Sequence, residues 1–126
     1  MGFVYLACPY WHEDEKIREE RFEKATKAAA WMMTNWGYAV FSALSHTVTI
    51  AKVMKEKKGL NFWLEQDVEM LRHAEQMFIL TLDGWKESEG VNYEIEVAEK
   101  IKLPMSLIVP DKMTLKPFFR TEYEVQ

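Results

Sequence analysis

Short apolar runs alternate along this chain with longer stretches in which apolar residues recur every three or four positions. Residues 3–7 form an apolar run of the kind that makes a fully buried parallel strand, and Cys8 and Pro9 end it. Residues 14–36 carry Phe22, Ala25, Ala29, Met32, Met33 and Trp36 as the inner stripe of a long helix, which Gly37 stops. A second strand is expected at 38–41. Residues 42–47 read as a loop and 50–58 as a short helix. A helix over 60–71 follows, then a third strand at 76–82 ended by Asp83 and Gly84. A polar loop at 85–90 leads into a helix over 90–101. A fourth strand at 103–109 follows, and a tail from 114 to 126 is read as a turn and an edge strand.

Strands alternating with helices predict an α/β protein: a flavodoxin-like (Rossmann-like) parallel sheet of four to five strands, with helices on both faces. The 126 residues are enough for one domain with a proper core and too few for two. In such sheets ligands bind beyond the carboxyl ends of the strands, where strand order reverses. For a flavodoxin-like order that point lies beside the first and third strands. The loop Cys8–Pro9–Tyr10–Trp11 and the loop from Asp83 to Gly90 emerge there, and the helix over 90–101 begins there.

Two acids break the apolar pattern. At about 100° per residue, Asp67 falls within the arc made by Leu60, Trp63, Leu64, Val68 and Leu71. Glu94 falls within the arc of Val91, Ile95, Ala98 and Ile101, while Glu96, Glu99 and Lys100 take the opposite side. A carboxylate on a buried face is costly unless it is paired, protonated or put to use. A structural reading exists for each: Glu94 in the first turn of its helix is favoured by the dipole, and Asp67 as a buried residue bonded to a Tyr or an Arg. Both together point to a site holding two acids whose pKa values differ.

Composition narrows the partners. The formal net charge is −4 and the pI about 5.4, which argues against a nucleic-acid polymer and leaves room for a small phosphorylated ligand. No apolar run reaches membrane-spanning length, so no membrane partner and a cytoplasmic location are expected. The single Cys8 excludes an internal disulfide and a cysteine-based metal cluster. His12, His46 and His73 lack metal-ligand spacing, and no metal or cofactor is expected. Lys52, Lys55, Lys57 and Lys58 read as a solvated face, with a phosphate-attracting lid as the functional alternative.

Three stretches carry a resemblance: Val4-Tyr-Leu-Ala-Cys-Pro-Tyr, Glu65-Gln-Asp-Val-Glu-Met-Leu, and Asp83-Gly followed by Ser88-Glu-Gly-Val-Asn-Tyr-Glu-Ile. In order and spacing over residues 3–110 they resemble the nucleoside 2-deoxyribosyltransferase superfamily. Within it they look most like the nucleoside 5′-monophosphate N-glycosidases of the 5-hydroxymethyl-dUMP N-hydrolase type. The resemblance implies a flavodoxin-like fold and cleavage of the base–sugar bond. It implies Glu94 as the carboxylate at the anomeric carbon, Asp67 as the acid that positions substrate and assists departure of the base, and Tyr5 as the tyrosine beside the Glu. Ser88 falls where the monophosphate hydrolases hold the 5′-phosphate, where transferases of free nucleosides have an Asp. The chain departs from the family's pattern at Cys8 and Pro9, where Gly-Ser or Gly-Pro is usual, at Trp11, where some members have Arg, and at Asn92, a common Gly.

The chemistry is consistent with that implication. Glycosidic cleavage builds positive charge on the sugar, which a carboxylate stabilises or captures, and the base needs a proton from a second acid or a water. Cys8, Pro9, Tyr10, Trp11, His46, Ser88, Gly90 and Asn92 are therefore candidate substrate contacts, with Tyr10, Trp11 and Trp85 placed to stack on a base. The alternatives are a 2-deoxyribosyltransferase exchanging bases, a non-catalytic nucleotide-binding or sensor module, and a flavin carrier, for which the first loop lacks a phosphate cradle. Phe62, Trp63, Met70, Trp31 and Trp36 exceed what one small sheet seals, and the resemblance implies a homodimer or dimer of dimers. In it the tail 112–119 reaches the neighbour's site, with Thr114 at its phosphate.

Overall fold

The computed structural model describes residues 2–118. Strand β1 (Val4–Ala7) is buried along its whole length and lies between β2 (Val40–Ser42) and β3 (Gln76–Leu80). Beyond β3 come β4 (Met105–Val109) and β5 (Thr114–Pro117), giving the order β2-β1-β3-β4-β5. The first four strands are parallel; β5 returns antiparallel to β4, with Thr114 opposite Val109. The expected fold class holds, with five strands. Strand order reverses between β1 and β3, so the crevice lies at their carboxyl ends.

Side chains alternate across the pleat and separate two cores. Val4, Leu6, Phe78, Leu80 and Ile108 face α1 (Glu15–Trp31), which meets them with Ala28 and Ala29, and with Met32 just beyond. Tyr5, Ala7, Met77, Ile79 and Leu107 face α3 (Leu60–Leu71) and α4 (Glu89–Lys100), through Leu71, Val91, Ile95 and Ala98. Helix α1 starts where Asp14 accepts a hydrogen bond from the Lys16 N–H (2.9 Å). It runs on into a wider π turn, Met32–Trp36, which Gly37 ends in the left-handed conformation (φ 71°). Met32 takes the buried place in that turn. Its neighbour Met33, about 100° round the axis, is solvent-exposed and leaves the expected inner stripe.

Residues 42–51 overturn two expectations. The segment read as a loop is α2 (Ala43–Ala51), capped by Ser42, whose side chain accepts from Ser45 N–H. Its apolar pair Leu44 and Val48, one turn apart, packs against Ala25 of α1. Ser, Thr and His between them hid that stripe. The helix expected over 50–58 is absent after Ala51, and a lysine-rich connection runs to α3 instead.

Candidate active site

Helices α2, α3 and α4 and the loop after β1 enclose an open cavity of about 680 Å³ at the carboxyl end of the sheet. Asp67 and Glu94 both line it, and both are buried. Topology and the two misplaced acids therefore meet at one place.

Glu94 is held from behind. Tyr5, fully buried on β1, donates its hydroxyl hydrogen to Glu94 Oε2. Glu94 sits in the second turn of α4, since the helix begins at Glu89; the first-turn expectation is corrected, and the helix dipole acts on it less. Asp67 Oδ1 is buried with no partner. One other buried side-chain polar atom among the described residues shares that condition, Thr47 Oγ1, and Thr47 lines the same cavity. Buried polar atoms are normally satisfied, so two orphans facing one cavity mark it as a place for a polar ligand.

Burial is the main cause of every pKa shift here. It lifts Asp67 to about 7. It lifts Glu94 to about 8, with the nearby Asp67 charge adding and the Tyr5 hydrogen bond opposing. Burial first, then the charges of Glu94 and Asp67, hold Tyr5 well above the usual phenol value, so it remains a donor. Both carboxyls are thus held protonated to higher pH than a solvated acid, by burial first. Cys8 lines the cavity as a neutral thiol: burial pushes it up to about 12, against the lowering influence of Arg21, so it is no nucleophile.

Arg21 ties together the two loops that flank the cavity. Its guanidinium donates to the carbonyls of Tyr10 (3.3 Å) and Trp11 (2.8 Å) in the first loop and of Asp83 (2.8 Å) in the other. Gly84 makes room for it. The backbone there is left-handed (φ 87°), and a Cβ would lie 2.8 Å from Arg21 Nη2. Arg18 stacks on the exposed Trp11 ring, 5.1 Å from its centroid.

Of the expected contacts, Cys8, Tyr10, Trp11, Ser88 and Gly90 line the cavity. Four do not. Pro9 is buried beside the cavity, with its carbonyl accepting from the Cys8 thiol (3.3 Å). Asn92 turns its amide back to the carbonyls of Lys86 (2.9 Å) and Ser88 (2.8 Å), bracing the loop before α4. His46 packs its ring on Phe41, at 5.2 Å. Thr114, expected at a neighbour's site and not at its own, is exposed on the far edge strand. Trp85 also differs from expectation, packing against the core under α4 instead of the cavity. Thr47 and Trp63 are wall residues not expected from the sequence, and Lys52, Lys57 and Lys58, for which a phosphate-attracting lid is the functional alternative to a solvated face, line the wall as well. Thr47 falls in the segment that reads as a loop, and Trp63 among the aromatics that suggest an interface.

Residues 2–109 match the family described as "Domain of unknown function (DUF1937)". The chain belongs to that family. No curated protein matches this DUF1937 chain. Among solved structures it is similar to a 2-deoxyribosyltransferase from the psychrotolerant bacterium Bacillus psychrosaccharolyticus. Identity is 21%, over 83% of this chain and 70% of that one, with a TM-score of 0.59. At that identity the likeness is one of fold: this DUF1937 domain has a nucleoside 2-deoxyribosyltransferase-like fold. Among the described residues, no helix is long and apolar enough to cross a membrane.

Proposed function

We propose that this protein is an N-glycosidase that cleaves the base–sugar bond of a nucleoside 5′-monophosphate in the cytoplasm. The observation that carries the reading is the acid pair: Glu94 bonded to Tyr5, and Asp67 with Oδ1 unpartnered, on one cavity. A module that only binds nucleotides gains nothing from two desolvated carboxyls.

In the proposed reaction a Glu94 carboxylate oxygen attacks the anomeric carbon as the carbon–nitrogen bond breaks. The bonding pair leaves with the base, which takes the proton from the Asp67 carboxyl. Water then adds its oxygen to the anomeric carbon, gives a proton back to Asp67 and releases Glu94. Burial favours the proton on Glu94. The Tyr5 hydrogen bond only partly opposes this; the positive charge that develops on the bound sugar is what draws the ionised form onto Glu94 and leaves the proton on Asp67. Tyr10 and Trp11, at the mouth, offer a ring face to the base. Ser88 caps α4 at the wall where the resemblance puts phosphate.

The fold likeness favours one second reading, transfer of the sugar to another base in place of water. Incubation with a panel of nucleoside 5′-monophosphates and nucleosides, with free base followed by chromatography, tests the proposal. Release of base is expected, and no release from any member overturns it. An added second base that becomes glycosylated selects the transferase.

The assembly proposed with this reading is a homodimer or a dimer of dimers. Trp31, Leu60, Met70 and Tyr93 support it as exposed apolar surface. Trp36 does not, because it packs on Tyr38 and Phe78 in its own core. The tail expected to reach a partner is described as far as Phe118; Phe119 lies outside the described residues.

A further inference from the structure

The cavity is electrically divided. Ser88, at the α4 end, already accepts a hydrogen bond from Val91 N–H (3.2 Å), and the cavity-lining, exposed carboxylates Glu87 and Glu89 flank it. A phosphate dianion is repelled there. The opposite wall is the connection from α2 to α3, where Lys52, Lys57 and Lys58 line the cavity. Among the described residues Lys52 and Lys57 have no carboxylate within ion-pair distance. The Lys52 ammonium sits over the Phe22 ring (5.1 Å), and Lys57 donates to the Ala51 carbonyl (3.2 Å). Lys58 has only the exposed Glu56, at 3.4 Å. Unneutralised lysines on one wall of a chain with net charge −4 are an uncompensated local field. Helix α3 adds to it: Gly59 caps it without a side chain, and Gly59 and Leu60 line the cavity.

The same cavity lining holds Thr47 and Asp67, whose Oγ1 and Oδ1 are unpartnered. From Leu60 to Asp67 the helix rises about 10 Å, a span that a base, a sugar and a phosphate bridge when long lysine side chains reach inward. We infer that the substrate's phosphate binds at the Lys52, Lys57 and Lys58 wall, with Thr47 Oγ1 on a sugar hydroxyl, and that Ser88 serves as the helix cap. The inference rests on the nucleotide reading above and moves the phosphate away from the wall that the resemblance implies.

The test compares a nucleoside 5′-monophosphate with its nucleoside on the wild type, the double variant Lys52→Gln/Lys57→Gln, and Ser88→Ala. Two ratios are read: kcat/KM by base release, and Kd by calorimetry. Loss of charged hydrogen bonds predicts that the lysine variant's preference for the monophosphate falls about tenfold to a hundredfold, and further than in Ser88→Ala. A preference that survives in the lysine variant, or falls further in Ser88→Ala, overturns the inference. A wild type that binds the monophosphate preferentially through these lysines but cleaves nothing leaves the site standing and removes the glycosidase. A wild type that cleaves and binds both ligands equally does the reverse.

Discussion

The two faces of the sheet use the same strands and differ in what they bury. Under α1 the interface is aliphatic and aromatic: Ala28, Ala29 and Met32 meet Leu6, Phe78 and Leu80, and among the described residues no charged group is buried there. Under α3 and α4 the interface includes a phenol and two carboxyls. The first face carries stability alone. The second gives up stability to keep Asp67 and Glu94 desolvated beside open space. Substitutions should therefore have opposite consequences on the two sides.

The largest expected effect comes from Glu94→Gln. The amide keeps the volume and accepts the Tyr5 hydrogen bond, but it neither attacks carbon nor balances a cationic sugar. Base release should fall by about a thousandfold or more, roughly 4 kcal/mol of barrier. Thermal stability at pH 8 should be equal to or above wild type, because a desolvated acid is gone. Activity within a few-fold of wild type sinks the catalytic assignment.

Met32→Ala probes the other side. Met32 is fully buried against the sheet. Truncation removes buried methylenes and leaves a void, so a loss of about 2–5 kcal/mol is expected in denaturant unfolding, with little change in kcat below the new midpoint. A loss of catalysis at full folding would show that the two faces are not separable.

Much of this contrast is legible in sequence. Asp67 and Glu94 stand out because helical periodicity assigns them to a buried arc, and Tyr5 falls in a run short and apolar enough to be a central strand. The strands and the switch point follow from alternation. The cavity's second wall is only partly legible. Leu44 and Val48 are two apolar residues spaced by Ser, His and Thr, a stripe too thin to announce a helix, so Thr47 was lost with it. Lys57 and Lys58 read as a solvated face or a phosphate-attracting lid, and no local pattern chooses between the two; the structure puts both in the cavity lining. Trp85, Asn92 and His46 have types suited to ligand contact; their direction is set by tertiary packing that no local pattern encodes. Likewise Ile101, assigned to the inner arc, is the exposed C-cap of α4.

Asp67→Asn sharpens the comparison through pH. The folded-state pKa of Asp67 is raised from 3.8 to about 7 by burial. Such a group's contribution to stability is fully present below its unfolded value and is lost as pH rises through the folded one. Wild-type stability should thus decline between about pH 4 and pH 8, and the Asn variant should decline less, by roughly 1–3 kcal/mol at pH 8. Melting curves at pH 5 and pH 8 measure the difference. Parallel declines in the two proteins would mean that Asp67 is hydrated and ordinary.

The smallest effect is expected at Tyr5, on the α3 and α4 face. Tyr5 packs like its neighbours on β1, against Phe41 (5.7 Å between ring centroids), yet its hydroxyl is the hydrogen-bond donor to Glu94. Tyr5→Phe keeps the ring and removes the donor. Of the influences on Glu94, burial and Asp67 raise its pKa and the Tyr5 hydrogen bond lowers it, so the variant's Glu94 should titrate higher still. The sign follows for both observables. At pH 5, with Glu94 protonated in the folded protein, the substitution should cost little stability. Toward pH 9 the ionised carboxylate loses its donor, and the cost should grow to about 1 kcal/mol. In catalysis the ionised form is the active one, so the acid limb of kcat/KM should move up by roughly half to one pH unit, with the rate near pH 7 down about threefold to tenfold. A purely packing role for Tyr5 predicts an unmoved acid limb and a pH-independent stability change, and that pair of results would remove Tyr5 from the site.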